Sequence, residues 1–220
     1  MLIFIYAVES TDEARSIVQL GADCIGANVG IRNEWPTILT PEKANEVLSG
    51  VAKPAKRVLL TVSSDLNDIR EIVSRVEFDI LHLIAEPSKL SPEKILELKK
   101  NIANIKIMRT IPVTDEKSIT LAKQYEGIAD YLLLDSRSSK NGLIGATGET
   151  HDWEVSRKLV VSVSTPVILA GGLGPDNIAQ AIAKVRPFGV DTKTKTNKTG
   201  SWGKDLEKVK QFIQIAKAVK

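Results

Sequence analysis

Short apolar runs alternate with amphipathic helical patterns along the whole 220-residue chain. The runs are nearly continuously apolar, which is typical of parallel strands that are covered on both faces. Eight of them are predicted to be strands, at 2–8, 23–29, 57–63, 78–85, 105–111, 131–135, 166–171 and 188–192. This strict alternation restricts the chain to α/β architectures built on a parallel sheet.

The segments between the runs carry signals for helix starts. Ser10 stands three residues before Glu13, which is the spacing of a capping box. The segments 40–42 (Thr-Pro-Glu) and 91–93 (Ser-Pro-Glu) each place proline at the first helical position, behind a capping hydroxyl. Apolar residues then recur at spacings of three and four, as they do over 206–216.

Two architectures fit this alternation, an open doubly wound sheet and a closed barrel. The open sheet would carry a glycine-rich turn after its first strand, where this chain has Tyr-Ala-Val-Glu at 6–9. Eight units of roughly 27 residues each match a (β/α)₈ barrel. No linker-like composition interrupts the chain, so we predict one (β/α)₈ TIM barrel over residues 1–220.

Composition excludes several classes of protein. No apolar run reaches the roughly 18 residues of a membrane span, and a net charge of +3 without a basic cluster is no nucleic-acid footprint. The single cysteine, Cys24, excludes an internal disulfide and a cysteine-rich metal site. We therefore expect a cytoplasmic protein, monomeric or homodimeric, without membrane or nucleic-acid partners and without metal or cofactor.

A glycine pair marks a candidate phosphate site in the stretch TPVILAGGLGPDN, residues 165–177. Gly171 and Gly172 end the seventh strand and precede a helix, whose free N–H groups can bind an anion. In barrels, the loops after strands 7 and 8 commonly hold phosphate. The loop after strand 8 supplies Lys193 and Thr194. We predict that the two loops form a phosphate site; alternatively, the glycines only end the strand and the lysine is solvated.

Several segments resemble the phosphoribosylanthranilate isomerase family of tryptophan biosynthesis. They are PVILAGGLGPDNIAQAI, GVDTKT with a later Gly-Lys-Asp, and LLLDS followed by GATGETHDW, which contains Gly148. The resemblance covers most of the chain and is specific in its last 90 residues. It implies an aldose–ketose isomerase that performs an Amadori rearrangement on a small phosphorylated sugar derivative.

The resemblance also implies roles for individual residues. The reaction needs an acid to open the sugar ring, and the family's aspartate at the end of strand 6 corresponds to Asp135. It needs a base for the C2′ proton, but the family's strand-1 cysteine is replaced by Tyr6, and a phenol with a pKa near ~10 is a poor base. Cys24 lies inside strand 2, where a lone thiol is usually a buried hydrophobe.

Two acidic residues remain as candidates near the substrate. Asp191 on strand 8 matches a family position that faces the substrate and is expected to contact it, and Glu9, just after strand 1, is a candidate base. The family's carboxylate-binding arginine is replaced by Thr37; Arg32, a few residues earlier, either compensates or is a solvated loop residue. Arg109, expected at the tip of strand 5, is either a further anion contact or the partner of a carboxylate.

Three functions are compatible with these residues. The first is a phosphoribosylanthranilate isomerase with a different base, and the second is a barrel isomerase or lyase for another phosphosugar. The third is a barrel that binds a phosphorylated ligand without catalysis. The missing cysteine and arginine count against the first, while the glycine and lysine loops are compatible with all three.

Overall fold

The strands form one closed sheet in the computed structural model, which describes residues 1–31, 37–102, 105–137, 144–145 and 148–219. All neighbouring strands are parallel and follow chain order, and β8 pairs with β1 to close the barrel. The strands are β1 Leu2–Tyr6, β2 Cys24–Asn28, β3 Lys56–Thr61, β4 Ile80–Leu83, β5 Lys106–Val113, β6 Tyr131–Ser136, β7 Val167–Leu169 and β8 Gly189–Thr192. The predicted TIM barrel is confirmed.

A helix follows each strand. The helices are α1 Thr11–Gln19, α2 Pro41–Leu48, α3 Leu66–Arg75, α4 Pro92–Lys100, α5 Lys117–Lys123, α6 Trp153–Ser162, α7 Ile178–Val185 and α8 Leu206–Ala218. The predicted helix starts are confirmed in position: the Ser10 hydroxyl accepts a hydrogen bond from Glu13 N at 3.2 Å, and Pro41 and Pro92 occupy first helical positions. The expected capping hydroxyl of Ser91 makes no capping hydrogen bond. The longest described helix has 13 residues, and none is long and apolar enough to cross a membrane.

Side chains alternate between two apolar layers along each strand, because successive residues of a strand point to opposite faces of the sheet. The outer layer packs between the sheet and the helices. The inner layer fills the barrel and consists of Phe4, Tyr6, Ala7, Cys24, Val58, Leu60, Ile80, Met108, Leu133, Ile168 and Ala170. The same alternation decides which polar residues reach the interior of the barrel.

Arg109 illustrates that rule and corrects an expectation. Since β5 extends to Val113, Arg109 lies in the middle of the strand, and it follows the inward-facing Met108. Its side chain is fully buried on the outer face, where it donates hydrogen bonds to the carbonyls of Leu83 and Ala85 at 2.8 and 2.7 Å. The prediction that Arg109 contacts an anion at the barrel mouth was wrong; it anchors the loop after β4.

Candidate active site

A cavity of about 500 Å³ opens at the carboxyl ends of the strands, where barrel enzymes carry their chemistry. We call it the central cavity. Its floor and walls come from strand ends and from the loops after β3, β4 and β8. Its lining includes Tyr6, Asn28, Leu60, Ser63, Asp68, His82, Ile84, Glu86, Lys89, Leu133, Asp135, Asp191 and Lys193.

Two of the carboxyl groups that line this cavity, Asp135 and Asp191, are carried by strands. Asp135, near the end of β6, accepts a hydrogen bond from Ser136 N at 2.7 Å, and burial raises its pKa to about 6. Asp191, on β8, is only 8% exposed, and burial together with the nearby Asp135 raises its pKa well above the ordinary value. Lys193 opposes both shifts. The two groups therefore hold a proton near neutral pH more readily than ordinary aspartates.

A smaller cleft adjoins the central cavity, and we call it the glycine cleft. It is lined by Asp135, Gly148, Gly171, Gly172, Leu173, Asp191, Thr192, Lys193, Thr194 and Lys195. The Thr192 hydroxyl donates to Leu173 O at 2.7 Å, which ties the loops after β7 and β8 together. Five predicted binding residues, Gly148, Gly171, Gly172, Lys193 and Thr194, thus lie at one place.

Gly172 can only be glycine at this position. Its φ of +59° is unfavourable for other residues, and a Cβ there would lie 2.8 Å from Gly148 O. The loop after β6 therefore packs directly against the glycine pair. This close packing of backbone on backbone shapes one wall of the cleft.

The helix start differs from the sequence expectation. Helix α7 begins at Ile178, so a turn of five residues separates it from Gly172. Asn177 bridges this turn: its amide donates to Gly172 O at 3.0 Å, and its Oδ1 accepts from Gly174 N at 2.9 Å. The helical segment that begins at the cleft is instead a 3₁₀ turn, Thr194–Thr196, whose first N–H groups have no partners within the turn.

Tyr6 and His82 occupy the floor of the central cavity as a hydrogen-bonded pair. Tyr6 Oη lies 2.9 Å from His82 Nδ1, and His82 Nε2 lies 2.7 Å from Thr110 Oγ1. Burial raises the pKa of Tyr6 well above its ordinary value and lowers the pKa of His82 to about 3. Both side chains are therefore neutral at pH 7. Space for the Tyr6 ring comes from Gly26, where a Cβ would lie 2.1 Å from the ring.

The other candidate residues from the sequence differ in their surroundings. Glu9 is absent from its lining; the Glu9 backbone N–H donates to Glu13 Oε2 at 3.0 Å, and burial and Glu13 raise the pKa of its carboxyl. Burial also raises the pKa of the Cys24 thiol, which lies in the inner layer. Arg32 lies outside the described residues. Thr37 is buried and accepts a hydrogen bond from Asn28 Nδ2 at 2.9 Å.

Asn28 and Lys89 also line the central cavity, although the sequence did not single them out. Asn28 ends β2 as a polar residue after an apolar run, a signal that would have identified it. Its Oδ1 is buried and has no hydrogen-bond donor among the described residues. An acceptor in that position is available to a donor group of a ligand.

Lys204, from the Gly-Lys-Asp segment, supports the loop after β8 from beneath. Its ammonium group is buried and donates to Lys193 O at 2.7 Å and to Asn197 Oδ1 at 2.5 Å. Its backbone N–H donates to Glu13 Oε1 at 2.5 Å. Burial lowers the pKa of Lys204 to about 7. The lysine therefore connects the Lys193 segment to the starts of helices α1 and α8.

Comparisons with known proteins agree with this architecture. A protein of Methanosarcina mazei named N-(5′-phosphoribosyl)anthranilate isomerase 2 is 33% identical over 217 residues, which cover 99% of this chain and 94% of that protein. The structure of N-(5′-phosphoribosyl)anthranilate isomerase from Pyrococcus furiosus covers both chains fully, with a TM-score of 0.80 and 24% identity.

A second solved structure, at 23% identity and a TM-score of 0.78, covers 99% of this chain and 98% of the other. It is a phosphoribosyl anthranilate isomerase in complex with reduced 1-(o-carboxyphenylamino)-1-deoxyribulose 5-phosphate. The family model for N-(5′-phosphoribosyl)anthranilate isomerase matches residues 6–215, nearly the whole chain. The chain therefore belongs to the N-(5′-phosphoribosyl)anthranilate isomerase family.

Proposed function

We propose that this protein isomerises N-(5′-phosphoribosyl)anthranilate to 1-(o-carboxyphenylamino)-1-deoxyribulose 5-phosphate, the Amadori rearrangement of tryptophan biosynthesis. The observation that carries the proposal is the shared position of two carboxyl groups, Asp135 and Asp191, between the central cavity and the glycine cleft. Groups for proton transfer and an environment for phosphate binding therefore lie next to each other. Family membership supplies the reaction class.

The phosphate group is assigned to the glycine cleft. Gly172 lets the backbone approach closely, the 3₁₀ turn Thr194–Thr196 begins there, and Lys193 contributes a cation. Backbone N–H groups together with a lysine form the usual protein environment for phosphate. With the phosphate anchored there, the ribose extends toward Asp135 and Asp191.

Asp135 is assigned as the general acid. Ring opening requires a proton on the ribose ring oxygen, and a carboxyl group with a pKa of about 6 is protonated often enough near neutral pH to donate one. The raised pKa comes from burial at the end of β6, as in other carboxylic acids held in apolar surroundings. Donation breaks the C1′–O4′ bond and leaves an iminium ion.

The aminobenzoate part is assigned to the side of the central cavity formed by β2 to β4. Apolar side chains of Leu60 and Ile84 line this side and suit an aromatic ring. The substrate's carboxylate needs a cation, and Thr37 cannot supply one. Among the described lining residues of the central cavity, the cations are Lys89 and Lys193. Since Lys193 also lines the glycine cleft, we assign the carboxylate to Lys89.

The proposed substrate and setting follow from the same chemistry. The ligand is a small phosphorylated sugar derivative, and the proton transfers require no cofactor. Phosphorylated intermediates do not cross membranes unaided, so we place the enzyme in the cytoplasm. It acts as a monomer or a homodimer, which size-exclusion chromatography with light scattering distinguishes.

A direct assay tests the proposal. Freshly prepared N-(5′-phosphoribosyl)anthranilate is fluorescent, and its consumption is followed in the presence of excess indole-glycerol-phosphate synthase, which removes the product. We expect saturable turnover by the wild-type protein and its loss in Asp135→Asn. A parallel binding screen with other pentose and hexose phosphates covers the two alternative functions. Absence of turnover together with tight binding of another phosphosugar would refute the proposed substrate.

A further inference from the structure

The rearrangement needs a base as well as an acid, and the described part of β1 offers none. Tyr6 occupies the inward position near the end of β1, but it is a neutral phenol hydrogen-bonded to His82. Both ring nitrogens of His82 are engaged, one by Tyr6 and one by Thr110. A base for the reaction therefore has to lie outside β1.

Asp191 meets the geometric requirements. It lies on β8, next to β1 in the sheet and paired in register with Phe4, and its side chain points into the barrel. It lines both the central cavity and the glycine cleft, as Asp135 does from β6. Across the part of the chain that the structure describes, no group donates a hydrogen bond to its carboxylate. Its oxygens are thus available to a substrate.

From this placement we infer that Asp191 is the general base that removes the C2′ proton, in the role for which strand 1 provides no group. The assignment rests on the proposed function. It replaces a base on β1 by one on the adjacent strand of the same rim, so a substrate anchored in the glycine cleft meets the acid from β6 and the base from β8.

This division of roles requires that Asp135 carries the proton and Asp191 is ionised when the substrate is bound. Asp135 raises the pKa of Asp191, so ionisation of one carboxyl group opposes ionisation of the other. A pair that holds a single proton contains one acid and one base at the same time, which is the combination that the reaction requires. Lys193, near both carboxyls, compensates the remaining negative charge.

The proton balance closes over one turnover. Asp135 gives its proton to O4′, the C1′–O4′ bond breaks, and an iminium ion C1′=N⁺ forms. The Asp191 carboxylate takes the C2′ proton, the C2′–H electron pair forms the C1′=C2′ bond, and the iminium π pair moves to nitrogen. The resulting enolamine gains a proton at C1′ and loses one from the C2′ hydroxyl to give the ketone. The pair ends with one proton, now on Asp191, and transfer of this proton to Asp135 restores the starting state for the next turnover.

Kinetics of four variants test the assignment. We expect Asp191→Asn to lower kcat about 10²–10⁴-fold, the usual contribution of a positioned proton acceptor. Deuterium at C2′ should give a larger kinetic isotope effect in this variant than in the wild type, since proton removal becomes slower. Asp191→Glu, which keeps a carboxylate, should recover part of the loss. Asp115→Asn is the matched control, because this exposed aspartate follows β5 on the same rim but outside the cavity lining.

The fourth variant supplies a base from strand 1. Tyr6→Cys in the Asp191→Asn background should raise kcat above that of Asp191→Asn alone, because a thiol on β1 can then take the C2′ proton. Binding of reduced 1-(o-carboxyphenylamino)-1-deoxyribulose 5-phosphate by each variant shows whether the site is intact. If the wild type isomerises the substrate and Asp191→Asn keeps kcat within threefold, Asp191 is not the general base, whereas the proposed isomerase function is retained. A wild type without isomerase activity overturns both.

Discussion

The hydroxyl of Tyr6 lies 2.9 Å from Nδ1 of His82, and the two rings meet edge to face with centroids 5.4 Å apart. The contact joins β1 to β4 across the interior of the barrel. It places a bulky neutral side chain near the end of β1 and pairs the Tyr6 hydroxyl with a ring nitrogen of His82. Tyr6 therefore belongs to the packed floor of the site and not to its chemistry.

Tyr6→Phe should accordingly affect stability more than catalysis. Loss of the hydroxyl leaves the buried His82 Nδ1 without its partner, which should lower the free energy of unfolding by about 1–2 kcal/mol. Since the phenol takes no proton, kcat should stay within about threefold of the wild type. Urea denaturation and steady-state kinetics measure the two effects. A tenfold fall in kcat with normal stability would place the phenol in the reaction.

Asp135→Asn should show the opposite behaviour. Removal of the acid should lower kcat about 10²–10⁴-fold and leave substrate affinity nearly unchanged. The folded-state pKa of about 6 is raised above the ordinary value, so the folded protein binds this proton more tightly than the unfolded chain does. The contribution of Asp135 to stability is therefore full below about pH 4 and is lost as pH rises through 6.

It follows that Asp135→Asn should be more stable than the wild type at pH 7.5, by roughly 1–2 kcal/mol after allowance for partial solvent exposure. The advantage should vanish near pH 4, where both states of the wild type carry the proton. Thermal unfolding of both proteins at the two pH values tests this. A variant that is less stable at pH 7.5 would contradict the assigned pKa shift.

The fold and half of the site follow from local sequence signals. Each strand and helix is a short segment whose apolar pattern and cap are visible in the sequence, and Asp135 and Asp191 are polar residues within buried strands. Arg109 is also a polar residue within a buried strand, but its position in the strand directs its side chain to the outer face of the barrel. The predicted end of strand 5 at residue 111 gave no reason to place Arg109 away from the rim, and only the observed register assigns it to the outer layer.

Local sequence patterns could not predict contacts between segments that lie far apart in the sequence. The Tyr6–His82 pair joins residues 76 positions apart, and the bond from Lys204 N to Glu13 joins residues 191 apart. Nothing in the pattern near His82 indicates its partner, because a histidine within an apolar strand is compatible with many environments. Such pairs depend on the closure of the barrel, which brings β1 against β8 and opposite β4.

Gly172→Ala tests the glycine cleft. The added Cβ would lie 2.8 Å from Gly148 O, so the loops must separate and the affinity for phosphorylated ligands should fall at least about tenfold. Gly127→Ala is the control, since Gly127 also has a positive φ but has nothing within 4 Å of an added Cβ. Calorimetric titration with reduced product measures affinity. If the two variants bind the reduced product with equal affinity, the assignment of the phosphate group to this cleft is wrong.

Lys89→Met tests the carboxylate contact. Loss of the cation should raise KM for N-(5′-phosphoribosyl)anthranilate about tenfold and change kcat little, because the carboxylate keeps its charge throughout the reaction. Lys100→Met, an exposed lysine at the end of α4 outside the cavity lining, serves as the control. An unchanged KM in Lys89→Met would assign the carboxylate to a residue other than Lys89.

Lys204→Met tests whether the buried ammonium positions Lys193. Methionine has a similar length but no donors, so Lys193 O and Asn197 Oδ1 lose their partners and the segment that carries Lys193 is no longer held. We expect KM to rise about tenfold and the free energy of unfolding at pH 7 to fall by about 1–3 kcal/mol. Lys198→Met, an exposed lysine of the same loop, should change neither.

The difference in free energy of unfolding between the wild type and Lys204→Met should depend on pH, which would not be the case if Lys204 contributed only packing. Its folded-state pKa of about 7 lies below the ordinary value, so between pH 7 and about 10 the unfolded chain binds the proton that the folded protein has released. Wild-type stability relative to Lys204→Met should therefore increase from pH 7 to pH 9, by at most about 1.4 kcal/mol per pH unit. Below pH 7 the difference should be constant, because both states of the wild type are protonated. Urea denaturation of the two proteins at pH 6, 7, 8 and 9 gives the comparison, and a difference that narrows as pH rises would show that Lys204 does not titrate as its burial requires.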